Sequence, residues 1–142
     1  MVVMKEAVIT RCVLDTSILI EIFDRGNKGL LKNLVSKYKV IYIPWICLYE
    51  YLYGHRYLDM DIEERKKAIE KLGKVIWNTQ ELVLKTLEID VRLHKEGRAI
   101  PFSDVLIASI TLMLNAELIT LDKRHFDRIP RLKLYIPSIT SQ

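Results

Sequence analysis

The sequence predicts an α/β fold, a three-layer sandwich in which helices cover both faces of a mainly parallel β-sheet. Short apolar, strand-like runs alternate along the chain with longer segments of helical periodicity. The run Cys12–Leu14 is apolar throughout, as expected for a parallel strand buried on both faces. With 142 residues, half of them hydrophobic, the chain is large enough for a substantial core, and we expect one domain over residues 1–142.

Apolar periodicity and turn-forming residues divide the first half of the chain into two strands and four helices. The expected strands are Cys12–Leu14 and Val40–Ile43. The expected helices run from Thr16 or Ser17 to about Phe23, from about Leu30 to Lys37, from Trp45 to Tyr53 with a stop at Gly54, and from Ile62 to Leu72 after an Asp61 cap.

The second half of the chain adds three strands and three helices by the same criteria. The expected strands are Lys74–Trp77, Glu117–Leu121 and Leu132–Ile136. The expected helices run from Asn78 or Thr79 to near Gly97, from Asp104 to Leu114 after a Ser103 cap, and from Lys123 to Arg128. In the first of these helices, the expected apolar face includes Leu82, Leu87, Val91 and Leu93.

Four widely spaced acidic residues lie where strands give way to helices or where helices begin: Asp15, Glu50, Asp104 and Asp122. A carboxylate in apolar surroundings costs free energy unless a positive group meets it. Parallel sheets bind ligands beyond the carboxyl ends of their strands, where Asp15 and Asp122 are predicted to lie. The helix from Asp104, rising about 1.5 Å per residue, leads away from this edge, and the next strand, at about 3.3 Å per residue, returns over about the same distance. Asp104 therefore belongs at the same end of the molecule as Asp122. Glu50 joins them only if its helix lies across the sheet edge.

Hydroxyl groups accompany two of these acids. Ser17 stands two residues after Asp15, and Thr120 stands two before Asp122 on the same strand face. Each hydroxyl can bond a carboxylate, a water or a phosphate, although helix capping or strand preference explains them equally well. Clustered carboxylates repel one another unless a hard cation such as Mg²⁺ or Mn²⁺ neutralises them, and such a cation activates water for attack on phosphorus. The pattern therefore predicts metal-dependent phosphoester chemistry.

The remaining composition narrows the class of protein. The two cysteines lack CxxC spacing and are expected to be buried thiols. His55, His94 and His125 show no zinc pattern, so surface or turn positions are expected, and Glu21 is expected to face solvent. The net charge of +4 permits binding to a polyanion without establishing it. No apolar run reaches the roughly 18 residues of a membrane span, and residues 1–6 lack signal-peptide features, so a cytoplasmic protein is expected.

Four segments of the chain resemble, in order, the successive motifs of PIN-domain nucleases. They are VLDTS (Val13–Ser17), LYEYLYG (Leu48–Gly54), SDVLIA (Ser103–Ala108) and ITLDKRHF (Ile119–Phe126). The length of the chain is similar to that of the VapC-type toxins of prokaryotic toxin–antitoxin pairs. The resemblance implies a parallel sheet of about five strands and a Mg²⁺- or Mn²⁺-dependent endoribonuclease that hydrolyses RNA phosphodiester bonds with metal-activated water.

The resemblance also implies roles for individual residues and partners. The metal site it implies consists of Asp15, Glu50, Asp104 and Asp122, with Ser17 or Thr120 assisting. Among these acids we expect Asp15, Asp104 and Asp122 to be the principal ligands, with Glu50 binding through water or orienting the nucleophile. The partners it implies are an RNA substrate, a second copy of the chain in a homodimer, and a small antitoxin protein that covers the site.

Other classes remain open at this point: a housekeeping RNA-processing nuclease, a small-phosphoester phosphatase, a receiver-like signalling domain, or a non-catalytic RNA- or partner-binding module. A phosphatase of the haloacid-dehalogenase type requires a second Asp where Ser17 stands, and a receiver domain requires adjacent acids after the first strand. This sequence meets neither requirement, which counts against both classes.

Overall fold

The computed structural model describes residues 8–139, whose centre is a fully parallel five-stranded sheet. The strands are β1 (Arg11–Leu14), β2 (Val40–Pro44), β3 (Lys74–Ile76), β4 (Glu117–Ile119) and β5 (Lys133–Tyr135). Their order across the sheet is β3-β2-β1-β4-β5. The predicted α/β fold with about five parallel strands is confirmed, whereas the expectation about residues 1–6 lies outside the described residues.

Seven α-helices connect and flank these strands within residues 8–139. They are α1 (Thr16–Leu19), α2 (Lys28–Lys37), α3 (Trp45–Tyr57), α4 (Glu63–Leu72), α5 (Gln80–Lys95), α6 (Phe102–Met113) and α7 (Lys123–Phe126). A π-helical turn, Ile20–Asp24, continues directly from α1. Within that range, no helix combines the length and the apolar character that crossing a bilayer requires.

The strand order reverses between β1 and β4, which makes this pair the switch point of the sheet. The chain builds outward from β1 to β2 and β3, then returns to place β4 on the other side of β1. The backbone N–H of Asp15 donates to the carbonyl of Ile119 at 3.1 Å, so the two strands stay together as they end. Ligands of open parallel sheets bind in the crevice at such a point. Asp15 and the segment Thr120–Asp122 leave the sheet side by side at this crevice.

The core lies around β1 and α6. Each residue from Cys12 to Leu14 is fully buried, and seven consecutive residues of α6, Val105–Thr111, are buried as well. A helix buried on all sides is apolar all round, which explains why α6 carries so few polar residues. Cys12 and Cys47 are both buried free thiols, as predicted. The rigid core thus holds the N-terminus of α6, and with it Asp104, against the switch point.

The helix boundaries predicted at Gly54 and Asp104 were wrong, and α7 ends at Phe126 rather than Arg128. Helix α3 passes through Gly54 and ends at Tyr57, because burial of Tyr51 and His55 outweighs the cost of about 1 kcal/mol for an exposed helical glycine. Helix α6 begins at Phe102, with Pro101 as its N-cap residue, so Asp104 stands inside the first turn rather than at the start. Proline fixes the backbone in a conformation that suits a helix entry.

Some burial predictions were also wrong, among them the surface or turn position expected for His55, which is buried in α3. Leu87 and Val91 are 56% and 44% exposed, because α5 packs on α6 through a different side of the helix that buries Leu82 and Leu93. Glu21 is buried rather than solvent-facing, and it accepts a hydrogen bond of 3.1 Å from the Asn27 amide. Periodicity alone gave no indication of either arrangement, since both depend on which neighbouring element covers the helix.

Candidate metal centre

Asp15 is the most buried acid of the site, and two hydroxyl groups hold it. Thr120 Oγ1 donates to Asp15 Oδ2 at 2.7 Å, and Ser17 Oγ donates to the same oxygen at 3.0 Å. The two hydroxyls also accept hydrogen bonds from backbone N–H groups just after β4. Leu121 N donates to Ser17 Oγ at 3.1 Å, and Asp122 N donates to Thr120 Oγ1 at 3.0 Å. These bonds join the end of β1 to the end of β4. Ser17 therefore does not cap its helix, whose N-cap residue is Asp15 itself.

Within residues 8–139, the hydrogen bonds from Ser17 and Thr120 to the Asp15 carboxylate both end on Oδ2. A carboxylate has about four lone-pair sites on two oxygens, so Oδ1 keeps its capacity for another partner. Asp15 is only 8% exposed, which makes an uncompensated negative charge there costly. A cation placed beside Oδ1 would offset that cost.

Asp104 and Asp122 come together across the crevice, with His125 between them. His125 Nδ1 lies 2.8 Å from Asp104 Oδ2 and 3.5 Å from Asp122 Oδ2. One ligand atom from each of the three residues lies within 4.8 Å of the other two. Asp122 also caps α7, since its Oδ1 accepts from the backbone N–H of Arg124 at 3.2 Å. The expectation that Asp104 and Asp122 finish at the same end of the molecule is confirmed.

His125 was missed by the sequence analysis, which expected a surface or turn residue. It lies three residues after Asp122 in α7, and this spacing puts the two side chains on one face of the helix. Phe126, the next residue, is 1% exposed and anchors α7 to the core. The spacing from Asp122 was the signal that could have identified His125.

Glu50 reaches the same crevice from α3. Its Oε1 accepts a hydrogen bond of 3.0 Å from Thr16 Oγ1, the first residue of α1. Desolvation raises the pKa of the Glu50 carboxyl; the Thr16 bond opposes this, and the negative charges of Asp15 and Asp104 add to it. Helix α3 thus brings Glu50 near the other acids, which was the condition that the sequence left open.

The Asp104 carboxyl carries the same electrostatic signature. Burial raises its pKa, the hydrogen bond from His125 works against that shift, and the charges of Asp15 and Asp122 reinforce it. Two carboxyls whose charged forms are disfavoured in the same crevice mark a place where positive charge is needed. Carboxylate oxygens are the donors that Mg²⁺ and Mn²⁺ prefer, so the residues present fit a hard divalent cation.

A groove beside this centre shares Glu50 as a wall residue. Its volume is about 460 Å³, and its apolar lining is supplied by Ile20, Phe23, Leu58 and Met60. At its floor, Asp24 Oδ1 accepts hydrogen bonds from Tyr51 at 2.7 Å, His55 at 3.0 Å and Arg65 at 2.7 Å. Burial, together with the bond to Asp24, raises the pKa of Tyr51 to about 12. This network ties α3 and α4 to the π-helical turn and so fixes the helix that carries Glu50.

A parallel sheet with an acidic crevice at its switch point is shared with a known family of proteins. The family model of the PIN domain matches residues 12–132, and the chain belongs to that family. It is similar to a VapC ribonuclease of Pyrococcus furiosus, with 24% identity over 120 residues that cover 84% of this chain and 80% of the relative. The predicted resemblance to PIN domains of the VapC type is confirmed.

Solved structures give the same picture. The chain is similar to VapBC2 from Rickettsia felis, solved bound to a DNA fragment from its promoter, with a TM-score of 0.75 and 26% identity over 88% of this chain and 97% of that one. It is also similar to VapBC-1 from nontypeable Haemophilus influenzae, with a TM-score of 0.72 and 27% identity over 88% and 96% of the two chains.

Proposed function

We propose that this protein is a Mg²⁺- or Mn²⁺-dependent endoribonuclease that acts in the cytoplasm as the toxin of a VapC-type toxin–antitoxin pair. The observation that carries the proposal is the convergence of Asp15, Glu50, Asp104 and Asp122 at the switch point of the sheet. Membership of the PIN family and similarity to a VapC ribonuclease support it. We assign the activity to the single PIN-like domain of this sequence.

Asp104 and Asp122 would hold the cation directly, with Asp15 completing the set through its second oxygen. A bound Mg²⁺ or Mn²⁺ supplies positive charge that makes water easier to deprotonate and that stabilises charge on phosphoryl oxygens. Ser17 and Thr120 keep the Asp15 carboxylate in one orientation, so that little reorganisation is needed when substrate binds. Their part is to position Asp15.

Glu50 is placed to orient the attacking water and accept its proton. Its carboxylate is held by Thr16 at 3.0 Å, and desolvation and neighbouring charge raise its pKa. A carboxylate with a raised pKa is a better proton acceptor near neutral pH than an ordinary one. Lys123 and Arg124, exposed on α7 next to Asp122, are placed to contact the phosphates that flank the scissile bond.

Cleavage of a mixed-sequence oligoribonucleotide tests the activity. The wild-type chain is expected to cleave with Mg²⁺ or Mn²⁺ and to stop when EDTA is added. A deoxyribonucleotide of the same sequence and p-nitrophenyl phosphate run beside it as alternative substrates. Hydrolysis of p-nitrophenyl phosphate without RNA cleavage would replace the proposal with a phosphatase, and RNA binding without cleavage would replace it with a binding module.

The effect of the protein on cell growth distinguishes a toxin from a housekeeping RNA-processing nuclease. Induced expression of the wild-type chain in a bacterial host is expected to arrest growth, whereas Asp104→Asn, produced at the same level, is expected to have no effect. The groove beside Glu50 is the surface that an antitoxin segment would cover, because its occupant would also block the metal centre. Growth at the uninduced rate with an enzyme that cleaves RNA in vitro would favour the housekeeping alternative.

A homodimer is the assembly we infer for the free protein. Helix α5 carries a second apolar face on which side chains four residues apart are 44–56% exposed. This face consists of Val83, Leu87 and Val91, with Leu84 beside it. Exposed apolar patches of this kind mark protein contacts, and a second copy would bury them. Leu87→Glu is expected to convert a dimer into a monomer in analytical ultracentrifugation, and a monomeric wild type would contradict the inference.

A further inference from the structure

We propose that His125 is a further protein ligand of the bound cation, donating Nδ1 alongside the carboxylates, and that this nitrogen makes the centre prefer Mn²⁺ to Mg²⁺. The inference rests on the proposed function, because it requires a divalent cation in the crevice. It goes further by assigning a residue outside the acidic set and by choosing between the two metals.

The distances around Nδ1 match the spacing of neighbouring ligands on one ion. Metal–ligand bonds of about 2.1 Å in octahedral geometry place adjacent donor atoms about 3.0 Å apart. Nδ1 lies 2.8 Å from Asp104 Oδ2 and 3.5 Å from Asp122 Oδ2, on either side of that value. The shorter contact is a hydrogen bond in which Nδ1–H donates to Asp104 Oδ2. A cation bound between the same atoms would take the place of that proton; the neutral ring would then carry its one proton on Nε2, and any second proton would leave to solvent.

The chemistry of α7 singles out the imidazole. This turn carries three basic residues in a row, Lys123, Arg124 and His125. Lys123 Nζ is 3.9 Å from Asp127, whereas His125 faces the two acids. Arginine and protonated lysine have no lone pair to offer a metal, whereas neutral imidazole does. His125, the one of these three side chains that can serve as a ligand, therefore lies at the carboxylates.

The helix holds His125 in this position. Asp122 caps α7 through Oδ1, which leaves its Oδ2 on the side of His125. The buried Phe126 ring prevents α7 from rotating away. His125 is itself only 28% exposed in its side chain, so its ring is confined yet remains reachable by an ion from solvent.

A nitrogen ligand changes which metal the site favours. Mg²⁺ is bound mainly by oxygen and keeps several waters, whereas imidazole raises affinity for first-row transition metals such as Mn²⁺. With an imidazole beside the carboxylates, the centre is expected to bind Mn²⁺ more tightly than Mg²⁺. Removal of the imidazole is expected to cost about tenfold or more in Mn²⁺ affinity, as even outer contacts of metal ligands do, and less in Mg²⁺ affinity.

Pulsed electron paramagnetic resonance of Mn²⁺ bound to the full chain tests the assignment without any activity measurement. The wild type is expected to show a ¹⁴N coupling that changes to a ¹⁵N coupling when histidine is isotopically labelled. His125→Gln should lose the coupling and narrow the Mn²⁺/Mg²⁺ affinity ratio in calorimetry. His94→Gln is the matched control, because His94 is exposed on α5 and pairs with Asp90; it should keep both.

Each other outcome overturns the assignment in a distinguishable way. Mn²⁺ bound without nitrogen coupling would show that His125 is not a ligand, while the proposed metal-dependent nuclease function would stand. A coupling that persists in His125→Gln would assign the nitrogen to another residue. Absence of any Mn²⁺ binding to the wild type would overturn the metal-dependent function together with the ligand assignment. Labelling of the wild type gives an answer even if His125→Gln does not fold.

Discussion

Thr120 donates a hydrogen bond of 2.7 Å to the carboxylate of Asp15, a residue 105 positions earlier in the chain. The bond crosses the switch point from the end of β4 to the end of β1. It is buried, and the same hydroxyl accepts from the backbone N–H of Asp122. One threonine thus sets the positions of two acids of the candidate metal centre.

Thr120→Val is expected to weaken both the fold and the site. Loss of a buried hydroxyl that serves a carboxylate should lower the free energy of unfolding by about 1–3 kcal/mol. Misplacement of Asp15 should also weaken Mn²⁺ binding by about 10-fold. Denaturant unfolding and calorimetry measure the two effects. Thr86→Val is the control: its buried hydroxyl donates to the Leu82 carbonyl within α5, away from the acids, so stability should fall while metal affinity stays. Unchanged Mn²⁺ affinity in Thr120→Val would contradict the positioning role.

Asp15→Asn should abolish cleavage in a folded protein. The asparagine carbonyl oxygen can accept the bonds from Thr120 and Ser17, so the packing is kept while the negative charge is lost. Cleavage of an oligoribonucleotide is expected to fall more than about 100-fold, beyond what loss of an outer contact costs. Asp59→Asn, in an exposed turn with φ 58° that asparagine tolerates, should cleave at the wild-type rate. Near-full activity of Asp15→Asn would refute the assignment of Asp15.

Gly54, within α3, and Gly73, the C-cap residue of α4, should respond in opposite directions to alanine. Gly54 lies inside α3, and a Cβ there would have no atom within 4 Å, so Gly54→Ala is expected to stabilise by about 0.4–1 kcal/mol. A Cβ on Gly73 would lie 2.6 Å from the Ile41 carbonyl oxygen, so Gly73→Ala should destabilise. Thermal or denaturant unfolding measures both. Destabilisation by Gly54→Ala would indicate that the helix is not continuous there.

The pH dependence of metal binding follows from the raised pKa values of Asp104 and Glu50, for which burial is the leading cause. A carboxyl whose pKa is higher in the folded state binds more protons when folded than when unfolded. Its contribution to stability is therefore present below the usual carboxyl range and is lost as pH rises through the folded value. Binding of a cation requires the deprotonated carboxylates, so the stabilisation that a bound cation provides increases as pH rises.

Mn²⁺ is accordingly expected to raise the melting temperature more at pH 7 than at pH 4.5. Scanning fluorimetry in EDTA and in Mn²⁺ across this range measures the difference. Asp104→Asn, which lacks one of the two groups, should show a smaller pH dependence of the Mn²⁺ effect. An equal Mn²⁺ shift at both pH values would show that these carboxyls do not control the binding.

Much of the fold and part of the site followed from the sequence because they depend on local rules. Apolar runs marked the strands, and the carboxyl-end rule for parallel sheets placed Asp15 and Asp122 at one edge. A comparison of helix rise and strand rise added Asp104. These inferences need only chain direction and length, which the sequence contains.

What the sequence could not provide depends on contacts between elements. The sequence predicts a helix stop at Gly54 because it does not reveal that the neighbouring Tyr51 and His55 are buried. Leu87 has the right spacing for a core residue but faces away from α6. His125 has no motif of its own, and only the approach of α7 to the first turn of α6 places it beside Asp104. In each instance the deciding partner lies far away in the chain.

Diffraction from a crystal soaked in Mn²⁺ would show whether acids from four distant segments surround one divalent cation. An anomalous difference peak is expected between the carboxylates of Asp104 and Asp122, within bonding distance of both and facing Asp15. Carboxylate oxygens that point apart, with no anomalous peak among them at saturating Mn²⁺, would contradict the account.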